Sequence, residues 1–205
     1  MPQGDEAVRC LHPLVKEFVK GVLGSDWAHG YPHVQRVLKL SHEIAAHMNL
    51  EIDLNVLECA ALLHDVGRVL GEPHAYFSAV VADGLLRGLG VSERVIEVVE
   101  NAILYHSYSY ASTHGIQPVS EEAKVLSDAD KLDALGVIGF VRVFLYGHEH
   151  GVDFKGSVKH FREKILNLHT YMHYNHSREK ALKLTRRVET LLKFLEEELG
   201  YTPEE

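Results

Sequence analysis

Apolar residues recur along most of this chain at the three- and four-residue spacing of an amphipathic α-helix. The clearest case runs from His33 to about Asn49, where His33 heads a stripe that continues through Val37 and Ile44. We find no persuasive pattern of alternating apolar and polar residues, as a half-buried strand would show, and no internal repeat or linker. The pattern therefore predicts an all-α fold whose core is helix packed on helix.

The same periodicity sets the expected helix boundaries. The predicted helices cover residues 7–20, 33–49, 53–67, 74–89, 92–106, 120–136, 137–147, 157–173 and 177–199. Residues 68–73 are predicted as a loop. Residues 107–119 have no period and are rich in Ser, Tyr and Thr, so we expect a long surface loop there. That loop is either a lid or binding loop or a simple connector.

One stretch, residues 60–67, breaks the usual separation of apolar and polar positions. Four apolar residues lead directly into His64 and Asp65, and Gly67 ends the segment. Such a run is typical of a buried helix end. Because burying a bare carboxylate is costly, Asp65 must be protonated, paired with a cation, or bound to a metal beside His64.

A second unusual helix carries three aspartates, Asp128, Asp130 and Asp133, among leucine and alanine. A solvated acidic face would normally alternate with lysines instead. Asp130 shares a stripe with apolar residues and is expected to point inward. The apolar members of that stripe are Leu126, Ala134 and Val137.

Three predicted helices thus each offer a potential ligand on an apolar face: His33, His64 with Asp65, and Asp130. Taken alone, His33 could equally be a core histidine bonded to a backbone carbonyl. Together the four groups supply nitrogen and oxygen ligands that suit Mn, Mg, Fe, Co, Ni or Zn without selecting among these metals. Four protein ligands also leave open positions on a six-coordinate ion.

Composition narrows the class of protein. The 205 residues, 46% hydrophobic and 24% charged, fit one soluble domain with a substantial core. No apolar run approaches the ~20 residues of a membrane span, and the first residues lack an apolar signal core, so we expect a cytoplasmic protein without a membrane partner. The formal net charge of -8 argues against polymeric nucleic acid but leaves a single nucleotide open. Cys10 and Cys59 have no paired spacing and are expected to be core residues.

Three motifs follow one another along the chain: residues 33–37 (HVQRV), His64-Asp65, and residues 129–134 (ADKLDA). In this order they resemble the motifs of the HD-domain superfamily, which comprises all-α metal-dependent phosphohydrolases. Residues 133–139 (DALGVIG) and 160–166 (HFREKIL) are similar to a small stand-alone microbial subgroup. The resemblance spans roughly Ser25 to Leu199. It implies a single HD domain over residues 1–205, with a core of about residues 25–150 and closing helices at about residues 157–199.

The resemblance also implies roles for particular residues. His33, His64, Asp65 and Asp130 would be the metal ligands, with Asp65 and Asp130 carrying the catalytic function. Asp130 is preferred to its neighbouring aspartates on this ground and on its predicted inward position. The implied reaction is hydrolysis of a small phosphoester or nucleotide through a metal-activated water. Independently of the resemblance, the apolar residues of the closing helices predict either packing on the core or a homodimer surface. These residues are Leu191, Leu192, Phe194 and Leu195.

The sequence indicates the residues that would contact a substrate less clearly than it indicates the metal ligands. Arg68 and Lys131 are candidates to hold a phosphate, but each could also be a solvated side chain. His74 opens a predicted helix and His106 closes one. Each could bind a second metal, contact a phosphate, or be a simple helix-end group. For His106 the helix C-terminus would favour the histidine cation.

The sequence departs from part of the superfamily in one place. Several members that cleave nucleotide phosphates carry a glutamate shortly after the His-Asp pair, as an acid/base. Here no acid follows until Glu72, so the general acid/base is unassigned. Two other functions stay open: a di-iron oxygenase, which would need His74 and His106 as ligands, and a metal- or nucleotide-binding regulatory domain without turnover.

Overall fold

The structure is a computed structural model that describes the backbone of residues 4–202 and the side chains of residues 13–202. Within those residues the fold is all-α and contains no strand, which confirms the predicted class. The predicted first helix is present, although Cys10 lies outside the described side chains. The α-helices are α1 Gly4–Leu23, α2 Tyr31–Met48, α3 Leu54–Leu63, α4 His74–Gly88, α5 Glu93–His106, α6 Tyr108–His114, α7 Glu121–Asp133, α8 Gly136–Glu149, α9 Phe154–Glu163 and α10 Asn175–Leu199.

The backbone contacts divide the chain into two compact units, Met1–Ala129 and Asp130–Glu205. The predicted single domain over residues 1–205 stays a prediction. Within residues 4–202, no helix is both long enough and apolar enough to cross a membrane.

Helix α3 lies at the centre of the first unit, where it packs against α1, α2 and α5. Asp53 caps its start by accepting the backbone N–H groups of Asn55 at 2.8 Å and Val56 at 3.3 Å, as its position predicts. Most of the helix is buried and apolar, so it forms a large part of the core. The direction of α3 therefore carries His64 and Asp65 into the interior.

The predicted helix over residues 53–67 is too long. Helix α3 ends at Leu63, and a 3-10 helix, Val66–Leu70, occupies part of the predicted loop at 68–73. The change occurs at Asp65, whose backbone angles, φ -111° and ψ 3°, leave the α-helical region. A tighter turn follows, in which the N–H of Arg68 donates to the carbonyl of Asp65 at 3.0 Å.

Gly67 allows this 3-10 helix to lie directly on α4. A Cβ at Gly67 would stand 2.2 Å from the backbone nitrogen of Ser78 and 2.8 Å from the carbonyl oxygen of His74. The N–H of Gly67 also donates to Ser78 Oγ at 2.9 Å. A side chain at residue 67 would therefore push the Asp65 turn away from α4.

The predicted surface loop over residues 107–119 is wrong in part, because Tyr108–His114 forms the short helix α6. Gly115 ends it with φ +67° and donates its N–H to the carbonyl of Ala111. Within α6 only Ala111 is buried. A helix this short and exposed has no apolar stripe, which explains why the hydrophobic pattern did not reveal it.

The second unit begins at Asp130, inside α7. The sequence predicts an apolar stripe that continues from α7 to Val137, and this prediction is wrong. Helix α7 ends at Asp133, and the chain turns at Gly136, with φ +68°, to begin α8. The side chain of Val137 is 54% exposed as a result. Asp130 is half-buried, whereas Asp128, Lys131 and Asp133 are buried.

A buried ion pair joins α7 to α8: Arg142 donates from Nη1 to Asp133 Oδ2 at 2.7 Å. The helix predicted at residues 157–173 is divided at Lys164 into α9 and a second 3-10 helix, Ile165–Tyr171. Helix α10 packs against α8 and this 3-10 helix, as expected for a closing helix.

Replacing Gly67 by alanine should lower the free energy of unfolding by about 1–3 kcal/mol, the usual effect of overpacking, because the new methyl group meets backbone atoms that cannot move alone. Gly84→Ala is the matched control. Gly84 lies within α4 and has open space around its Cβ position, so alanine there should stabilise the helix by up to about 1 kcal/mol. Urea unfolding of the three proteins measures both effects, and equal stabilities would contradict the close approach.

Candidate metal centre

Five side chains from four elements meet inside the first unit. His33 lies in the first turn of α2, and His64 and Asp65 follow the end of α3. His74 is the first residue of α4 and His106 the last of α5. These five side chains thus lie at or near helix ends and converge there. The central parts of the helices supply the apolar packing.

The cluster is enclosed. His33, His64 and Asp65 are 0% exposed, and His106 is 2% exposed. His74 lies nearer the surface, with 13% of its side chain exposed. A carboxylate at this depth needs cationic or hydrogen-bonding partners.

One oxygen of Asp65, Oδ2, has a strong partner. Arg68 donates from Nε to this atom at 2.6 Å. The Nε2 atoms of His33 and His64 lie 3.5 Å and 3.8 Å from the same oxygen, and 3.2 Å from each other.

The other oxygen, Oδ1, is buried and accepts no hydrogen bond from any described residue. The Nε2 atoms of His74 and His106 face it from 3.6 Å and 3.7 Å. A buried carboxylate oxygen with two imidazole nitrogens just beyond hydrogen-bond distance is suited to a cation at their centre.

The second nitrogen of three of these rings is already engaged. His64 Nδ1 donates to the carbonyl of Ala61 at 2.8 Å, and His106 Nδ1 donates to the carbonyl of Ile103. His74 Nδ1 lies 3.0 Å from the carboxylate of Glu72. In a neutral imidazole, a proton on Nδ1 leaves the lone pair on Nε2, which is the arrangement found in histidine ligands of metals.

The residues present therefore fit a divalent cation. His64, Asp65 and His106 each place one ligand atom within 4.8 Å of the others. With their Nδ1 atoms protonated, His64 and His106 direct Nε2 lone pairs toward the carboxylate of Asp65, an arrangement that a bound cation would stabilise. Nitrogen and oxygen donors of this kind accept several transition metals and magnesium.

Asp65 is ionised in this environment. Burial by itself raises the pKa of its carboxyl, but the Arg68 guanidinium, the His64 ring and the contacts with His106 and His33 lower that pKa well below its ordinary value. Burial is also the largest influence on His74, and it lowers the pKa of that ring although Asp65 and Glu72 oppose the change. The site thus favours a charged carboxylate and a neutral His74.

The structure brings most of the candidate residues together. His33, His64 and Asp65 form the buried part of the cluster, and Arg68 and His74 contact one another, Nη2 to Nε2, at 3.4 Å. His106 also lies in the cluster, where its Nε2 atom and that of His74 face Asp65 Oδ1. The roles of these residues as metal or substrate ligands stay predictions.

Two candidates belong to the second unit. Asp130 is its first residue, and Lys131 follows it with 6% of its surface exposed, so Lys131 is not the solvated lysine that one interpretation allowed. The predicted roles of Asp130 as a metal ligand and Lys131 as a phosphate contact rest on the sequence motif.

One contact escaped the sequence interpretation. Glu72 appeared there only as a distant acid, yet its carboxylate bonds to the ring of His74. Burial raises the pKa of Glu72, but hydrogen bonds from the backbone and ring of His74 and nearby charges lower it below its ordinary value. The separation of two residues at a helix start is the signal that could have revealed this pair.

Comparison with known proteins gives consistent matches. A family model described as the HD domain matches residues 30–135, a range that contains His33, His64, Asp65 and Asp130. The chain is 30% identical over 172 residues to the uncharacterized protein YpgQ of Bacillus subtilis, a match that covers 82% of this chain and 83% of YpgQ.

Solved structures agree in fold over nearly the whole chain. The crystal structure of Bacillus subtilis YpgQ in complex with ADP superposes with a TM-score of 0.74 at 26% identity, covering 94% of this chain and 96% of that one. An HD-superfamily hydrolase from Bacillus thuringiensis superposes with a TM-score of 0.66 at 28% identity, covering 93% and 97% of the two chains.

Replacing Asp65 by alanine should weaken binding of Mn²⁺ or Co²⁺ to the metal-free protein by at least about 100-fold, because changes in the surroundings of a metal ligand alone cost about 10–100-fold. Isothermal titration calorimetry measures this loss. Asp83→Ala is the control, since Asp83 pairs with Arg87 on the surface of the same unit. Wild-type affinity in Asp65→Ala would remove Asp65 from the site.

Proposed function

The chain belongs to the HD-domain family of metal-dependent phosphohydrolases, and we propose that it hydrolyses a phosphate ester or anhydride bond of a small phosphorylated molecule or nucleotide. One observation carries the proposal. The Nε2 atoms of His33 and His64 face the buried carboxylate of Asp65 from 3.5 Å and 3.8 Å, and the Oδ1 atom of that carboxylate accepts no hydrogen bond from a described residue. This cluster of acceptors is suited to holding a cation that acts on phosphate.

The ligands in this proposal are His33, His64 and Asp65, with Asp130 added from the sequence motif. A divalent ion bound there lowers the pKa of a coordinated water and stabilises negative charge on a phosphoryl oxygen. Mn, Mg, Co, Ni, Fe and Zn all accept this set of donors, so the identity of the metal is left to measurement.

The protein's own side chains have separate tasks. Asp65 supplies charge to the site, and its contact with Arg68 Nε orients the guanidinium at the edge of the cluster. With 24% of its side chain exposed, Arg68 can meet a phosphate that arrives from solvent. Lys131 is a second proposed phosphate contact, on the evidence of its place beside Asp130 in the motif.

A nucleotide is the favoured substrate class within this proposal. The related protein YpgQ was crystallised in complex with ADP. A net charge of -8 does not oppose this choice, because one nucleotide requires only a local cationic group such as Arg68.

A second candidate function is supported by the side of the cluster at Oδ1. His74 and His106 face this oxygen while His33 and His64 face Oδ2, so two cations could share Asp65. Such a pair would serve a two-metal hydrolase or the di-iron oxygenase that needs both His74 and His106. One non-iron metal per chain in the purified protein would exclude the oxygenase.

We expect metal analysis of the purified protein, followed by assays of a broad phosphate and nucleotide panel with that metal, to detect release of phosphate or pyrophosphate. Asp130→Ala should abolish this activity together with tight metal binding. Nucleotide binding with intact metal and no turnover would favour the regulatory interpretation instead. If no panel member were hydrolysed with Mn²⁺, Co²⁺, Ni²⁺ or Mg²⁺, the proposed reaction would be wrong.

Arg68→Gln should raise KM for the active phosphate substrate by about 10–100-fold. Hydrogen bonds to charged groups contribute about 1.5–3 kcal/mol, and each 1.4 kcal/mol corresponds to about tenfold in affinity. Steady-state kinetics at saturating metal provide the measurement. Arg87→Gln removes an exposed arginine of the same unit and should leave KM unchanged. An unaltered KM in Arg68→Gln would show that Arg68 holds Asp65 and does not bind the phosphate.

A further inference from the structure

Glu72 is an exposed acid whose carboxylate is bound to the edge of the metal cluster. Its side chain is 65% exposed, whereas that of its partner His74 is 13% exposed. Oε2 accepts the backbone N–H of His74 at 3.0 Å. The ring atom Nδ1 of His74 lies 3.0 Å from Oε2 and 3.1 Å from Oε1.

Two independent contacts specify where the proton of the His74 ring lies. An ionised carboxylate only accepts hydrogen bonds, so Nδ1 must donate to Glu72. On the opposite side of the ring, Nε2 lies 3.4 Å from Nη2 of Arg68. A guanidinium only donates, so Nε2 is the acceptor in that contact. Both contacts require the tautomer protonated on Nδ1.

The choice of tautomer decides what His74 can do. With its lone pair on Nε2, the ring can bind a cation near Asp65 Oδ1, 3.6 Å away, but it cannot donate a hydrogen bond to a phosphate oxygen. With the proton on Nε2, the ring could donate a hydrogen bond to a phosphate oxygen there but could not bind a cation through that atom. His64 and His106 have their Nδ1 atoms directed to backbone carbonyls, whereas His74 depends on a side chain.

We propose that Glu72 is a positioning residue, which holds His74 in the Nδ1-protonated tautomer and so keeps the Nε2 lone pair available to Arg68 or to a cation beside Asp65. An effect of this role on metal binding rests on the proposed function, because it requires a metal at Asp65. The tautomer itself does not, because the contacts that select it lie within the protein.

A simpler role for Glu72 is to cap the start of α4, since it also accepts the backbone N–H of His74. Capping would influence the stability of α4 and leave the ring tautomer unchanged. Glu72→Gln separates the roles. Its amide oxygen can still accept the backbone N–H, while its NH₂ group can donate to Nδ1 and favour the proton on Nε2.

The test is long-range ¹H–¹⁵N NMR of the full-length, metal-free protein labelled in histidine, at a pH of about 8, above the ordinary histidine pKa of about 6.5. Loss of a signal set in His74→Gln assigns the His74 ring. We expect the wild type to show the proton on Nδ1. Glu72→Gln, which can donate to Nδ1, should show mainly the Nε2-protonated form, and Glu72→Ala should show a mixture of both forms because the Arg68 contact remains. Glu93→Gln alters an exposed acid of the same unit and should leave His74 unchanged.

A second measurement follows the metal. Isothermal titration calorimetry should show Mn²⁺ affinity about 10–100-fold weaker in Glu72→Gln and unchanged in Glu93→Gln, as expected when the group that orients a metal-binding histidine is removed. A wild-type tautomer in both Glu72 variants would overturn the inference and leave Glu72 as a helix cap. A changed tautomer in a protein that hydrolyses no phosphate would instead contradict the proposed function and keep the positioning role.

Discussion

The burial of the Asp65 carboxylate is the constraint on which the rest of the site depends. Asp65 is fully enclosed, and the alternatives for a charge in such a place are few. Arg68 compensates one oxygen at 2.6 Å, and four imidazoles stand around the carboxylate at distances between 3.5 Å and 3.8 Å. Arg68 alone offsets part of the charge, and Oδ1, which accepts no hydrogen bond from a described residue, is the position suited to a further cation.

The fold meets this constraint by bringing helix ends together. His64 and His106 follow or close their helices, and each directs Nδ1 to the carbonyl of the residue three positions earlier, Ala61 or Ile103. The last turn of each helix thus orients the ring that follows it. His74 stands at the beginning of its helix, where no such carbonyl precedes it, and Glu72 takes that place. The close approach at Gly67 keeps the Asp65 turn against α4.

These arrangements explain why the protein can be assigned to a family of hydrolases although the particular reaction that it catalyses cannot be identified. The side chains of His33, His64 and Asp65 are buried, and their geometry follows from the packing of the helices. The proposed substrate contact, Arg68, lies nearer the surface, and the sequence has no acid between Asp65 and Glu72 that would indicate a general acid/base. Compared with the relatives that carry a glutamate there, the sequence therefore differs in the candidate general acid/base and not in the cluster around Asp65.

The sequence by itself determined the all-α class, most helix positions, and the burial of His33, His64 and Asp65, because apolar periodicity directly records which positions face the core. It also supplied the motifs that resemble the HD superfamily. Only the tertiary structure decided that His74 and His106 join Asp65, that Glu72 bonds to His74, and that α3 ends before His64. These features depend on contacts between separate elements or on the backbone angles of one residue. Neither produces a periodic pattern of apolar residues in the sequence, so neither can be predicted from that pattern.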